Sequence, residues 1–325
     1  MKLKTSGRSC RSLVVALLWC CAYVSSAAAA GPMAYVANEK SDDVSVIDTS
    51  TNSVIRTIAV GKRPRGVVIS PDRHRVYIAN GNSDDVSVID AEAGKVIETW
   101  PAGVDPEGLA LSPDGTRLYA VNENGGTVTV LNTKTGTVIA AIEVQVEPES
   151  ITISPNGKIA YVSNETSNTI SAIDTTALKV VANIPVAKNP RGIAFSPDGK
   201  YAYVTSEQVE PGVLSVINVA RHKVIKKIPV GERPVGVVVT RDGRKLYVAH
   251  GRSNAVYVID ARTLTITKQI PVGQRAWYLA LTPDERYLYV ACGRSDAVSV
   301  IDVAAEKVIA TVPVGKMPFG VAIPQ

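Results

Sequence analysis

Seven positions of one recurring tripeptide carry most of the side chains able to do chemistry. They are Arg65, Glu107, Glu149, Arg191, Val235, Trp277 and Phe319, spaced 42 residues apart with one interval of 44. Two glutamates one repeat apart could form an acid–base pair, since a general base needs a positioned group with a tuned pKa. Arginine forks suit carboxylate ligands, and an aromatic face suits a flat ring. A zinc site needs several His or Cys side chains close together. The chain has only three histidines, His74, His222 and His250, and Cys292 is its one cysteine beyond residue 30. His74 and His222 fall in turns expected on the opposite face, so only His250 and Cys292, in adjacent repeats, could share a metal or nucleophile site. A lone thiol more commonly packs as a small hydrophobe. Cys-x-x-Cys-His, a glycine-rich phosphate loop and a Ser-His-Asp order are all absent.

The spacing points to the elements that must hold these residues. YVANEKSDDVSVID (35–48) returns as YIANGNSDDVSVID (77–90) and as YVACGRSDAVSVID (289–302). Its anchors are Tyr35, Tyr77, Tyr119, Tyr161, Tyr203, Tyr247 and Tyr289, with five intervals of 42 and one of 44. Within one repeat, such as 64–100, four short segments alternate apolar and polar residues with period two, which excludes helical repeats. Tight turns such as Ser-Pro-Asp-Gly separate them. Four strands per repeat at this period predict a β-propeller blade, and seven copies predict an all-β, seven-bladed β-propeller over residues 31–325. Residues 320–323 supply a first strand and residues 33–58 lack one, so the C-terminal strand is expected to complete the N-terminal blade and close the ring. The ring Asp48, Asp90, Asn132, Asp174, Asn218, Asp260 and Asp302 is read as turn caps, because calcium wants six to eight oxygens at one point. The tyrosines are read as packing between blades.

Residues 1–30 have the order of a cleaved secretory signal: Lys2, Lys4, Arg8 and Arg11, then an apolar run, then small residues up to Ala30. That predicts export to the periplasm and no membrane span in the mature chain. Four of the 35 basic residues lie in this leader, leaving 31 against 30 acids. The mature chain is nearly neutral, which argues against nucleic acid as a partner. With Cys10, Cys20 and Cys21 removed, Cys292 has nothing to pair with, and packing must hold the fold. A monomer is expected.

The Y-V-[AST]-N core, with S-P-D-G and V-S-V-I-D around it, resembles the YVTN family of β-propeller repeats over about 33–323. It is more closely similar to the periplasmic propellers associated with pyrroloquinoline quinone (PQQ)-dependent alcohol catabolism. That resemblance implies a compartment and a pathway, and it supplies no catalytic motif. No cofactor is expected to be bound covalently; PQQ is the implied ligand. A quinoprotein alcohol dehydrogenase or its cytochrome is the implied protein partner. His250 and Cys292 replace the Asn of the pattern, and Ala276-Trp277-Tyr278 replaces Pro-x-Gly.

A propeller repeats its scaffold and varies its loops, so function is expected where the copies differ. The variable position of Pro-x-Gly and the last residue of the second strand (Asn38, Asn80, Asn122, Asn164, Ser206, His250, Cys292) are expected to crowd one mouth of the central channel. An acidic arc of Asp105, Glu107, Glu123, Glu147, Glu149 and Glu165 should face a basic arc. That arc comprises Arg233, Arg252, Arg275, Arg294, Lys316, Lys62, Arg63 and Arg65, with an exposed Trp277 and Phe319 at its centre. The expected binding set is Arg65, Glu107, Glu149, Arg191, Trp277, Phe319, His250, Arg275 and Arg294, in a non-enzymatic docking module. A lactonase-like hydrolase working through Glu107 and Glu149, and an adhesive repeat protein, are the other readings.

Overall fold

Each repeat places its second and third segments between neighbouring copies, so both faces of those strands are covered. In Arg75–Asn80 every residue after the arginine is buried, and in Asp85–Asp90 the four central residues are buried. The fourth segment lies outside; in Ser53–Ala59 only Ile58 is buried. The same outer position holds Trp100, Ile142, Ile184, Ile228, Ile270 and Val312, all buried. Alternation is therefore visible in the outer strands and lost in the middle ones, as expected for strands covered on both faces.

The computed structural model describes residue 1, residues 32–207 and residues 211–325. The leader expected over 1–30 lies, Met1 apart, outside the described residues, as does part of the loop at 207–212. The described residues form seven four-stranded antiparallel sheets. The seven-bladed propeller expected from the repeats is the observed architecture. Pro318–Ala322 pairs antiparallel with Met33–Asn38, with Tyr35 opposite Ala322 and Val36 opposite Val321, so the last strand completes the first blade.

The core sits between blades. Tyr77, Val88 and Trp100 of one blade pack with Leu109, Leu118 and Leu131 of the next, and each interface repeats this plan. The seven anchor tyrosines are buried in these clusters. Each side chain of this size contributes about 1.5–3 kcal/mol when fully buried. The Asp/Asn ring caps turns: Asp90 Oδ1 accepts from the Ala93 amide at 2.7 Å, and Asn132 Oδ1 from the Lys134 amide at 2.9 Å.

The inner strands meet around the channel. Close approach there demands glycine at the third position of Pro-x-Gly. A Cβ on Gly66 would fall on the Glu107 carbonyl oxygen, and one on Gly320 on the Arg65 carbonyl oxygen. Ser150 and Tyr278 hold that position in the two blades whose tripeptide departs from Pro-x-Gly.

Candidate functional site at the channel mouth

The mouth residues are aimed by a device that repeats in every blade. Each inner strand slips register against its neighbour at Pro-x-Gly, as between Pro64 and Val67 and between Ala276 and Leu279. A bulge of this kind re-aims one side chain, here the variable residue. The residue before the tripeptide is left-handed in all seven copies: Arg63, Asp105, Glu147, Asn189, Arg233, Arg275 and Met317 have φ between 52° and 58°. Non-glycine residues pay about 1–3 kcal/mol for such backbone and keep it only when neighbours fix it. The neighbours do. Each of the seven carbonyls accepts an amide from the loop after the second strand, at 2.7–3.0 Å. In five copies the amide donates to an Asp or Asn of the preceding blade, at 2.8–3.0 Å: Asp42, Asp84, Asn168, Asn254 and Asp296. The serine before each accepts an amide as well, as Ser83 Oγ does from Lys62 at 2.7 Å and Ser295 Oγ from Gln274 at 2.8 Å.

Two arginine-centred clusters occupy one side of the mouth. Arg191 touches Glu149, lies 3.0 Å from Glu165 and 2.7 Å from Glu207. Arg63 touches Asp105 and lies 2.5 Å from Glu107 and 3.5 Å from Glu123, while Arg65 pairs with Glu107 and with Glu39 at 3.4 Å. Carboxylates outnumber guanidinium groups in both clusters. Burial works against the charge on Arg65 and Arg191, but their carboxylates outweigh it and raise both pKa values. Burial pushes Glu149 up to about 8; Arg191 pulls the other way, while Glu107 and Glu165 push with the burial. Arg191 stays ionised among three carboxyl groups, and burial holds the proton of one of them, Glu149, above the usual carboxyl range. Glu123 is likewise pushed up to about 8 by burial and by Glu107, whereas Glu107 is held low because Arg65 and Arg63 overcome its burial.

This corrects the two opposed arcs expected from the sequence. Arg63 and Arg65 belong to the acidic side, drawn there by the carboxylates of the next blade. Lys62 and Lys316 pair with Asp42 and Asp296, which leaves Arg233, Arg252, Arg275 and Arg294 around a cavity of about 300 Å³ that Trp277 and Glu207 also line.

The expectation of an exposed Trp277 and Phe319 is also corrected. They are 5% and 4% exposed and form one cluster with Val235 and Tyr278. Their ring centroids lie 4.9 Å apart. Arg65 stacks on Phe319 at 4.5 Å and Arg275 on Trp277 at 4.4 Å. Three adjacent copies lack a charge at the variable position, so these apolar side chains leave water together. Tyr278 extends the plug inward: it packs on Phe319, lines the channel cavity of about 180 Å³, and interacts with Ser150 on the opposite wall.

The ends of the second strands do not reach the mouth. Asn38, Asn80, Asn122, Asn164, Ser206, His250 and Cys292 are all 0% exposed. Asn80 Nδ2 donates to Asp85 at 2.7 Å and to Ser87 at 2.8 Å, stitching two strands inside the blade. His250 takes that place in its blade, stacked on Tyr257 at 4.1 Å, and burial lowers its pKa to about 4. Cys292 is a free, buried thiol, pushed up by that burial. Neither is placed to bind a ligand at the mouth, because the side chains point between strands. The residues one step further on do reach it, as Glu39, Glu123, Glu165 and Glu207 show.

Asp105, Glu107 and Glu123 bring three carboxylate oxygens within 4.8 Å of one another, a spacing that could hold a metal ion. Arg63 bonds all three, so a guanidinium already occupies the seat. Sequence reading missed the clamp residues Asp42, Asp84, Asn168, Asn254 and Asp296, although a recurring Ser-Asp or Ser-Asn marks them. It also missed Tyr278 as a plug, although a tyrosine in a glycine position is a signal.

The sequence profile of the YNCE-like beta-propeller matches residues 9–132 and 155–245. The chain belongs to the YNCE-like beta-propeller family. No curated protein matches it. Among solved structures, Kuenenia stuttgartiensis hydrazine synthase superposes on this YNCE-like propeller with a TM-score of 0.78 at 24% identity, covering 83% of this chain and 92% of the other. A functionally unknown protein from Desulfotomaculum acetoxidans gives 0.81 at 19% identity, covering 90% and 99%. At these identities the two likenesses show the fold. Among the described residues no helix is long and apolar enough to cross a membrane.

Proposed function

We propose that this YNCE-like propeller is a non-enzymatic binding module that docks a partner on its channel-mouth face. One observation carries the proposal. The side chains that differ between otherwise alike repeats meet on that face, where the acids hold Arg63, Arg65 and Arg191 and four further arginines ring an open cavity. A basic patch beside an acidic one selects an anionic partner and orients it.

In its finer form the proposal follows the leader and the repeat resemblance. The chain is exported to the periplasm, and its partner is a quinoprotein alcohol dehydrogenase, that enzyme's cytochrome, or PQQ itself. The lactonase-like alternative rests on Glu149, whose raised pKa suits a base. Glu149 is 3% exposed, is paired with Arg191, and lines the channel cavity together with Tyr278 and Phe319.

The test is a pull-down from periplasm of alcohol-grown cells with tagged mature protein, at low and at moderate salt. Recovery of a quinoprotein dehydrogenase or cytochrome, weakened by salt and by Arg275→Glu, is the expected result. Recovery of the same proteins by the variant as by the wild type would remove the mouth from the docking surface. Recovery of nothing specific would sink the partner assignment.

A further inference from the structure

The four arginines of the mouth cavity are not equally neutralised. Arg252 Nε lies 2.9 Å from Glu232. Arg233 Nη1 lies 3.5 Å from Glu207, whose other oxygen is held by Arg191. Among the described residues Arg275 and Arg294 have no ion-pair partner; Arg275 lies instead over the Trp277 ring. Arg275 and Arg294 therefore stand side by side without an ion pair of their own, and the one acid lining the cavity, Glu207, is already shared by Arg191 and Arg233. Like charges so placed repel, and burial worsens the cost: desolvation first, then Arg294, lower the pKa of Arg275, with Glu207 pulling the other way and Arg233 adding to the fall.

Buried hydrogen-bond donors at the same place also lack acceptors. Arg233 Nε, Arg275 Nε and Trp277 Nε1 are shielded from solvent and make no hydrogen bond among the described residues, and the Trp277 side chain is almost wholly buried. A buried donor left unmade costs about 1–3 kcal/mol. Three donors and two unanswered charges beside one cavity describe a site built for an acceptor that carries negative charge. The cavity, about 300 Å³, sits at the small end of ligand pockets.

We propose that this cavity binds a compact oxyanion bearing two negative charges, gripped between Arg275 and Arg294. The proposal rests on reading the mouth as a binding face and names the ligand chemistry that face selects. Guanidinium forks pair with carboxylate and with phosphate oxygens alike, so the shared chemistry is a small dianion. Its source is a dicarboxylate or a phosphate compound.

Isothermal titration of the wild-type mature protein at about 150 mM salt tests it, with succinate, citrate, pyrophosphate and acetate as probes. Saturable heat from succinate, citrate or pyrophosphate, and none from the singly charged acetate, is expected. The stronger of the carboxylate and phosphate arms identifies the source. Arg294→Gln should weaken that binding at least about tenfold, the effect of losing one charge-assisted hydrogen bond. Arg294 is exposed and among the described residues has no ion-pair partner, so this variant should melt like the wild type. Arg244→Gln, at the far end of a neighbouring blade and 3.7 Å from Asp242, should leave the affinity unchanged. No saturable heat from succinate, citrate or pyrophosphate, or an affinity that Arg294→Gln does not move, overturns the proposal. If the pull-down recovers its partner while the titration is flat, docking stands and the dianion site falls. A flat titration together with an empty pull-down removes both.

Discussion

At the scale of single residues, the mouth is decided by which charges share a cluster. Glu149 and Arg191 are each second in a Pro-x-Gly-like tripeptide, and both were legible in the sequence as candidates. Their pairing was not, because it joins one blade to the next across a backbone bulge. Glu149 holds its proton up to about 8 in the folded chain, against about 4.3 for an ordinary glutamate. The folded state therefore binds that proton more tightly than the unfolded state. The corresponding stability is complete below the unfolded value and is lost as pH rises toward about 8. Glu149→Gln, which mimics the protonated form, should match the wild type near pH 5 and exceed it near pH 8.5. Urea midpoints at the two pH values measure this, and parallel curves would show that Glu149 is ionised throughout. Arg191→Leu leaves Glu149, Glu165 and Glu207 without their shared partner and should cost about 3–5 kcal/mol of stability, read from the same urea melts.

At the scale of elements, the working unit is the pair of loops that the clamps lock together. The Ser-Asp repeat was visible, but its acceptor role depends on an amide about 21 residues away in the next blade, as for Asp84 and Asp105. Alternation cannot announce such a contact. Asp84→Ala frees the Asp105 amide and leaves left-handed backbone without its support. It should lower stability by about 1–2 kcal/mol and speed hydrogen exchange at Asp105, while exchange at the turn cap Ala93 stays as it was. Equal acceleration at both amides would mean general loosening and no local clamp. The turn caps were legible in the sequence for the opposite reason: Asp90 and Ala93 are near in the chain, so spacing alone brings them together.

At the scale of the whole molecule, closure makes seven marginal sheets into one body. Removing 318–325 takes away the strand paired with Met33–Asn38 and the Phe319 part of the plug. The exposed edge would then offer unpaired backbone to other chains. The truncated protein should lose its single sharp thermal transition and sediment partly as aggregates. A monomer with an unchanged melt would show that six complete blades suffice. The Gly320→Ala variant, whose new Cβ meets the Arg65 carbonyl, should weaken the same joint without deleting it.

Amino-acid order alone determined the seven blades, the four strands in each and the closing strand, because those depend on period-two patterning and short-range turns that recur along the chain. It also placed the variable residues on one face, since topology carries every equivalent position to the same end of the ring. Only the tertiary structure decided which of them are solvent-facing. Packing across the channel buried Trp277, Phe319 and Tyr278 as a plug, drew Arg63 and Arg65 to the carboxylates, and left Arg275 and Arg294 unanswered. Those outcomes come from contacts between blades, where distance in space is set by ring closure and leaves no local mark in the sequence.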